Sequence, residues 1–337
     1  MRITRDTLMK LARNAVAERV YRSRDIICVY LTGSMLKEEP LLGGAADIDM
    51  VLVHSSTPEA PREVIQATNE VHIDLCHLSQ AYFNQPRKLR KDAWVGGFMC
   101  ASPLVLHDQQ HWFEFTQASV CSQYNAPENV MSRAWPMAEA ARTIWFDLHA
   151  GRFENPAFTF WQYLRALEKA ANAVSILAGL PLTERRFMLE FPARAQALQR
   201  PGLASGLTDL FMPAPLPADR RETLLSACQS ALEQLGRQPD CPAVLLPQRR
   251  VYYLNAVDAL WNEQPAAAAW ILLRVWTRAV CSLAEPAAAQ QTWQTSLADL
   301  GLNPADMDAS LAALDAYLDG VEETLDTWAA KNGIERA

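Results

Sequence analysis

Two aspartates that are separated by a single residue lie at the start of an apolar segment of the chain. Asp47 and Asp49 precede an apolar run that ends at Val53. Residues two apart in a strand point to the same face, so the two carboxylates project together, about 6–7 Å apart along the chain. Neighbouring carboxylates repel each other, and a cation between them relieves the repulsion. The spacing therefore predicts a metal site, with Mg²⁺ as the expected ion.

A third aspartate lies inside another segment of strand character. Asp74 belongs to the apolar stretch Val71–Leu78. If this strand neighbours the one that carries Asp47 and Asp49, three carboxylates converge, which is enough to hold one or two Mg²⁺ ions. Asp74 then either completes the metal site or acts as a general base.

A glycine–serine pair supplies the complementary chemistry. Gly33 and Ser34 follow the strand-like segment Ile26–Leu31. A turn at this position can present backbone N–H groups and a hydroxyl to an anion. Glycine allows the backbone to approach the ligand closely, and serine adds a donor. A nucleoside triphosphate fits this arrangement, with its outer phosphates on the turn and an aspartate-bound Mg²⁺ bridging its oxygens.

The ordered combination of these motifs resembles the DNA polymerase β-type nucleotidyltransferase superfamily. The sequence reads Thr32-Gly33-Ser34, a spacer, an Asp-x-Asp that opens an apolar strand, and a third aspartate on a later strand. Within the superfamily, a compact catalytic domain followed by a helical domain is similar to the aminoglycoside and lincosamide nucleotidyltransferases. The motifs cover the chain to about residue 120. Beyond that point, the resemblance rests on helical character alone.

The resemblance implies a role for each motif residue. Gly33 and Ser34 would bind phosphate, and Asp47 and Asp49 would ligate metal. Asp74 matches the third carboxylate, which in many members helps to activate the acceptor hydroxyl. The implied reaction transfers a nucleoside monophosphate, with ATP as the expected donor, to a hydroxylated acceptor.

One helical stripe in the C-terminal part offers further candidates. Gln162, Arg165, Lys169 and Asn172 recur at helical spacing, with Glu168 beside them. The plain interpretation is a solvent-exposed face. The alternative is that this face closes the cleft, with Lys169 or Arg165 on the triphosphate and Glu168 serving the acceptor.

The elements that must position these residues indicate two domains. Residues 1–122 are predicted to form an α/β nucleotidyltransferase domain, in which a first helix is followed by short strands that form a small mixed sheet. Residues 123–337 read as an all-α helical bundle that binds the acceptor, because strand signals fade and helical periodicity dominates. Predicted helices there cover 130–150, 157–178, 184–198, 219–235, 249–262, 266–283 and 304–330. The acceptor is expected to lie between the two domains.

Composition narrows the class of protein. Half of the 337 residues are hydrophobic, which is ample for packed cores and argues against disorder. A formal charge of −7 disfavours a nucleic-acid partner. Since no apolar run approaches the roughly 20 residues of a membrane span, and the N-terminus is unlike a secretory signal, a cytoplasmic protein is expected. The seven cysteines are scattered without a Cys-x-x-Cys, so most are expected to be small buried residues in a reducing compartment.

The favoured hypothesis is a Mg²⁺-dependent nucleotidyltransferase acting on a small hydroxylated molecule, with antibiotics among the candidate acceptors. One alternative is a protein-modifying enzyme similar to antitoxin nucleotidyltransferases, which are usually single compact domains. Another alternative is a non-catalytic nucleotide-binding regulatory module, although a degenerate copy is expected to lose a carboxylate. The sequence leaves the acceptor and the oligomeric state open.

Overall fold

The structure is a computed structural model that describes residues 3–335. One compact unit ends at Asn129, and the second begins at Val130. The first carries a five-stranded mixed sheet with helices, and the second is all helical. The predicted fold class, a small α/β domain followed by an α-helical bundle, is confirmed.

The first unit alternates helices and short strands. Its strands are β1 (Ile26–Leu31), β2 (Ala46–His54), β3 (Arg62–Gln66), β4 (Val71–Ser79) and β5 (Leu104–Asp108). Its helices are α1 (Arg5–Arg22), α2 (Pro86–Arg90), α3 (Val95–Cys100) and α4 (Trp112–Cys121). Thr4 caps α1, because its hydroxyl accepts a hydrogen bond from the backbone N–H of Thr7.

The sheet has the strand order β3-β4-β2-β1-β5. β2 and β4 are parallel, and the other neighbouring pairs are antiparallel. Periodicity did not predict β3, since this five-residue edge strand has exposed ends and only two apolar residues, Val64 and Ile65. The edge position of β3 matters for the site, because it delivers a basic side chain to β4.

Two apolar clusters cover the two faces of the sheet. One contains Ile48, Met50 and Leu52 of β2 together with Leu8 and Ala12 of α1. The other contains Val53 of β2 together with residues of β1 and α2–α4. Alternate residues of β2 therefore enter different cores, which fixes the direction of every side chain on the strand.

Two cysteines form a disulfide that the sequence did not suggest. Cys100, the last residue of α3, is bonded to Cys121, the last residue of α4, with Cα atoms 5.4 Å apart. Cys28 and Cys228 are buried thiols, whereas Cys76, Cys241 and Cys281 are half-buried, so the expectation that most of the cysteines are buried is wrong. The expectation of reduced cysteines is thus wrong for the pair at the ends of α3 and α4, because helix packing brings together residues with no recognisable spacing motif.

The second unit is built from nine helices within the described residues. They are α5 (Pro127–His149), α6 (Pro156–Leu177), α7 (Phe187–Ala197), α8 (Gly202–Phe211), α9 (Arg221–Leu235), α10 (Arg250–Leu260), α11 (Pro265–Ser282), α12 (Ala287–Asp299) and α13 (Asp308–Lys331). The first three residues of α5 precede the boundary between the units.

A buried helix, α11, organises the core of the second unit. It packs against α6, α9 and α10. Trp270 on α11 stacks on Phe187 with ring centroids 4.5 Å apart, and meets Phe211 edge-on at 5.2 Å. Aromatic pairs of this kind add stability beyond the area that they bury. None of the helices between residues 3 and 335 combines the length and the apolar character needed to cross a membrane.

Candidate active site

The turn after β1 places Gly33 directly against Asp49. β1 is followed by a short 3₁₀ turn, Gly33–Leu36. The Thr32 N–H donates to the carbonyl oxygen of Asp49 at 3.0 Å, which holds the turn beside β2. Gly33 has a φ of +69°, and a Cβ built on it would overlap Asp49 Oδ2 and lie 3.1 Å from Asp49 Cγ. Both the left-handed backbone and the close carboxylate therefore require glycine here.

Asp47 and Asp49 lie on one face of β2. Asp47 is buried and Asp49 is half-buried. Ser34 Oγ lies 3.4 Å from Asp47 Oδ1, at the long end of a hydrogen bond. The alternate residues Ile48 and Met50 enter the core on the other face. Since a slip of one residue would bury the aspartates in that core, the apolar side fixes where the carboxylates point.

Strand pairing brings Asp74 to the same face. β4 runs parallel to β2, with Asp49 opposite Asp74 and Asp47 opposite His72. Neighbouring strands lie about 4.7–4.9 Å apart, so opposed residues are close neighbours on one face. The two strands are adjacent, as the three-carboxylate hypothesis required, and the three aspartates share one region of the sheet. Their chemical roles stay predictions.

Arg62 is the site residue that sequence reasoning missed. It lies on the edge strand β3, and its Nε donates to Asp74 Oδ1 at 2.7 Å. Arg62 Nη2 donates to Asp74 Oδ2, so the guanidinium engages both carboxylate oxygens. The Asp74 side chain is only 3% exposed, and a buried carboxylate of this kind requires a partner. The sequence signal was weak, because one arginine in an exposed segment usually indicates solvent contact.

Asp47 and Asp49 have the donor chemistry that Mg²⁺ requires. Mg²⁺ is commonly held by one or two carboxylates together with phosphate oxygens and water. Both aspartates lie beside the glycine–serine turn, so phosphates bound there could supply the remaining ligands. Within residues 3–335, no group of three or more His, Cys, Asp or Glu side chains is arranged to hold a metal ion. Asp47 and Asp49 would supply two ligands to Mg²⁺, and phosphate oxygens and water would supply the rest.

Cys76 shares this face of the sheet as a half-buried thiol. It lies two residues after Asp74 on β4. Burial is the main effect that raises the pKa of its thiol; Asp74 and Asp49 raise it further, and Arg62 opposes them. The thiol is therefore protonated at neutral pH in the metal-free protein.

The three candidates from the helical stripe lie on α6, in the second unit. Glu168 forms an ion pair with Arg274 of α11, with 2.8 Å between Glu168 Oε2 and Arg274 Nη2. The Arg274 guanidinium also lies over the Trp161 ring, 4.5 Å from its centroid. Arg165 Nη1 donates to Gln162 Oε1 at 2.9 Å, and Lys169 is half-buried. The structure thus gives Glu168 a helix-to-helix ion pair that the sequence did not predict.

The interpretation of this stripe as a solvent-exposed face is wrong. Gln162 and Asn172 are buried. Asn172 accepts from the Leu182 N–H at 2.6 Å and donates to the Leu182 carbonyl at 3.3 Å. Polar residues at helical spacing cannot reveal whether another chain segment covers them, and here a loop does. Roles for Arg165, Glu168 and Lys169 in catalysis or phosphate binding remain predictions.

No protein-family model matches the chain, and no curated protein matches it in sequence. Among solved structures, the chain is similar to a nucleotidyltransferase-like protein from Exiguobacterium sibiricum 255-15. The two are 11% identical, the match covers 96% of this chain and 92% of that one, and the TM-score is 0.31. Function is therefore inferred from the residues that the sheet gathers: a glycine–serine turn, two carboxylates beside it, and a third carboxylate paired with arginine.

Proposed function

We propose that this protein is a Mg²⁺-dependent nucleotidyltransferase. It transfers a nucleoside monophosphate, with ATP as the expected donor, to a hydroxyl of a small-molecule acceptor. One observation carries the proposal: the Gly33–Ser34 turn is packed against Asp47 and Asp49 on a single sheet face. This arrangement puts an anion-binding turn and a cation-binding pair of carboxylates side by side, which is what a metal-bound triphosphate needs.

The acidic residues would bind the metal ion, and the glycine–serine turn would bind phosphate. Asp47 and Asp49 would hold Mg²⁺, which supplies charge neutralisation on the triphosphate when it is bound. Gly33 and Ser34 would hold the leaving phosphates through a backbone N–H and a hydroxyl. The acceptor oxygen forms a bond to the α-phosphorus, the bond between the α-phosphorus and its bridging oxygen breaks, and pyrophosphate leaves. The acceptor proton passes to a base.

Asp74 is the proposed third member of the site. As a base or a metal ligand, it would act with each of its oxygens also accepting a hydrogen bond from Arg62. The Arg62–Asp74 ion pair favours a second candidate function, a nucleotide-binding regulatory module. In that module Asp74 would be paired with arginine instead of acting as a base or a metal ligand. Pyrophosphate release separates the two functions.

The test is pyrophosphate release from each nucleoside triphosphate with Mg²⁺, across a panel of hydroxylated small molecules that includes antibiotics. We expect turnover with at least one acceptor. Asp47→Asn and Asp49→Asn should reduce it by about 100-fold or more, because each removes a negative charge from the metal pair. Asp6→Asn, on the exposed first turn of α1, is the matched control and should retain full turnover.

The other outcomes are equally informative. If no acceptor supports turnover but ATP with Mg²⁺ raises the melting temperature, the regulatory module is supported over the enzyme. Undiminished turnover in Asp47→Asn or Asp49→Asn would disprove the proposed metal role. If ATP with Mg²⁺ produces neither turnover nor a shift in melting temperature, the site assignment itself is wrong.

A further inference from the structure

Two helices of the second unit, α5 and α13, form a groove with aromatic and acidic walls. On α13, Asp315, Asp319 and Glu322 recur at helical spacing, so their side chains lie on one face. On α5, Glu139 and Phe146 line the same groove. The groove has a volume of about 660 Å³, which is within the range of cavities that bind a molecular partner. Its size and lining are those of a docking surface.

The groove carries more negative charge than its own arginine balances. We call it the acidic groove and define it by four carboxylates, those of Glu139, Asp315, Asp319 and Glu322. Arg142 pairs with the three carboxylates of α13. The Asp319 side chain is nevertheless 72% exposed, and Glu139 is exposed as well. The excess negative charge at the surface favours a cationic partner.

Aromatic rings accompany the carboxylates. Phe146 is 59% exposed, and its ring lies 4.9 Å from that of Trp145, centroid to centroid. The Arg142 guanidinium lies 5.5 Å from the centroid of the Trp145 ring. The groove thus already holds one cation by an aromatic face together with carboxylates. A partner that brings cations and apolar surface together would also cover Phe146.

The first unit carries a complementary surface on α2. Arg87, Lys88 and Lys91 are exposed and lie three and four residues apart, so they share one side of the helix. We call these three residues the cationic face. Leu89 points away from them and belongs to a core cluster of the first unit. The apolar side of α2 therefore fixes the helix, and its charges face solvent.

Exposed aromatic residues precede and follow α2 in the chain. These residues are Tyr82 and Trp94. Asp92 holds both, because its Oδ2 accepts a hydrogen bond from the Tyr82 hydroxyl and its Oδ1 accepts one from the Trp94 N–H. Tyrosine and tryptophan are enriched in interfaces between proteins. The cationic face therefore complements the acidic groove in charge and shares its aromatic character.

The charges favour a protein partner over a nucleic acid. The three cations neutralise few phosphates, and the affinity of a protein for a polyanion grows with the number that it neutralises. Each copy of the chain carries both surfaces, so a second copy supplies the complement of each one. The formal charge of −7 opposes undirected association of two copies, and contact between them requires complementary local surfaces.

We propose that this chain self-associates, with the cationic face of one copy docked in the acidic groove of a second copy. The contact is head-to-tail, because the two surfaces differ. The cations of α2 meet the carboxylates of the groove, and the aromatic neighbours Tyr82 and Trp94 cover Phe146. The inference is independent of the proposed function, because neither surface includes a residue of the aspartate site on β2 and β4.

The experiment measures the weight-average mass of the full-length protein by analytical ultracentrifugation over a series of concentrations. At 150 mM KCl, we expect a mass above that of one chain that rises with concentration. At 1 M KCl it should fall towards one chain, because the Debye length shortens from about 8 to about 3 Å. A mass of one chain at every concentration overturns the proposal, and association that is insensitive to salt contradicts it.

Charge reversal tests each surface separately. Lys88→Glu combined with Lys91→Glu reverses the cationic face, and Glu139→Lys combined with Asp319→Lys reverses the acidic groove. All four residues are exposed, so both variants should fold, and melting curves verify this. Each variant alone should associate at least about tenfold more weakly than wild type, because like charges then oppose each other. Association as strong as that of wild type in either variant overturns the proposal.

An equimolar mixture of the two variants provides the decisive comparison. The reversed face of one variant is complementary to the reversed groove of the other, and their unchanged surfaces are complementary too. The mixture should therefore regain the mass of wild type at 150 mM KCl. A mixture that remains at the mass of one chain contradicts the proposal.

Lys10→Glu combined with Arg13→Glu is the matched control. Both residues are exposed on α1, and the pair changes the net charge by the same amount as reversal of the cationic face. This variant should associate as wild type does. An equal loss of association would show that net charge is responsible and would overturn the role of the cationic face.

Discussion

Gly33 and Asp49 lie so close that a methyl group cannot be placed between them. A Cβ at position 33 would overlap Asp49 Oδ2, and the backbone there has a φ of +69°. From the sequence, the glycine is expected to let the backbone approach a phosphate closely. The structure adds a second reason, which is that the turn must pass the carboxylate of Asp49 without displacing it.

We predict that Gly33→Ala reduces pyrophosphate release by about 100-fold, because a displacement of about 1 Å in a reacting group can have an effect of this size. Gly151→Ala is the control, since Gly151 has a φ of +63° and open space where a Cβ would lie. In both variants, the left-handed backbone should destabilise the protein by a similar amount, about 1–2 kcal/mol. Equal loss of turnover in the two would show that strain, and not the contact with Asp49, is responsible.

A chain of ionisable groups crosses the far end of the same sheet. His54 Nδ1 lies 3.0 Å from Asp25 Oδ2, and His54 Nε2 lies 2.9 Å from His77 Nδ1. His77 Nε2 is 3.8 Å from Glu63, which is paired with Arg19. Burial, followed by the neighbouring His54, lowers the pKa of His77. The chain therefore favours a neutral His77 in the folded protein.

The lowered pKa of His77 gives a direction for the pH dependence of stability. Below its ordinary pKa of about 6.5, the unfolded chain binds a proton at His77 more readily than the folded protein does. The free energy of unfolding should therefore fall as the pH is lowered from 7 towards 5. The contribution of one such group cannot exceed about 1.4 kcal/mol per pH unit.

The measurement is urea unfolding at a series of pH values. His77→Gln should flatten the loss of stability between pH 7 and 5. His111→Gln, at a histidine that is 78% exposed, should leave the profile unchanged. An identical slope in wild type and His77→Gln would contradict the assignment.

At the scale of elements, a single arginine ties two long helices together. Arg142 of α5 contacts three carboxylates of α13: Asp315, Asp319 at 2.7 Å and Glu322 at 2.9 Å. Nearby, Trp145 Nε1 donates to the Leu311 carbonyl at 2.9 Å. Burial acts to lower the pKa of Arg142, but hydrogen bonds and Coulombic attraction from the carboxylates outweigh it, so the pKa is raised.

We predict that Arg142→Met lowers the free energy of unfolding by about 1–2 kcal/mol, a modest value because the carboxylates are partly solvated. The deficit should shrink at high salt. Arg152→Met is the control, since Arg152 is 67% exposed and paired only locally with Asp147 at 2.5 Å; it should cost less than about 0.5 kcal/mol. Urea unfolding measures both, and equal effects would contradict a special role for Arg142.

Strands and helices were predicted correctly where their residues show apolar periodicity. Predictions failed where the outcome depends on packing against a segment that is distant in the sequence. The strands that carry Asp47 and Asp74 and the long helices of the second unit follow from apolar periodicity. β3 was missed because a five-residue strand with only two apolar residues shows little apolar periodicity. The stripe on α6 was misread because a loop around Leu182, which no periodicity reveals, covers Asn172.

For the whole molecule, the net charge affects which partners can bind. The formal charge of −7 opposes association with a polyanion unless a local basic surface compensates. Nucleic acid was accordingly disfavoured as a partner. A triphosphate differs from a polyanion in this respect, because a single divalent ion can balance much of its charge.

We predict no binding to single- or double-stranded 20-mer oligonucleotides at 150 mM KCl, with any dissociation constant above about 100 μM. Fluorescence anisotropy measures this, and a fluorescent ATP analogue with Mg²⁺ serves as the positive control. Tight binding that weakens steeply with salt would contradict the prediction and would point to a basic surface.

By itself, the sequence determined that Asp47 and Asp49 share a strand face, that a glycine–serine turn precedes them, and that a helical unit follows. These are local properties, because alternation and helical periodicity depend on residues a few positions apart. Only the tertiary structure decided which arginine meets Asp74 and which meets Glu168. Arg62 reaches Asp74 through strand register, and Arg274 reaches Glu168 through helix packing. Ion pairs between elements depend on how those elements are aligned, and no local pattern along the chain specifies that alignment.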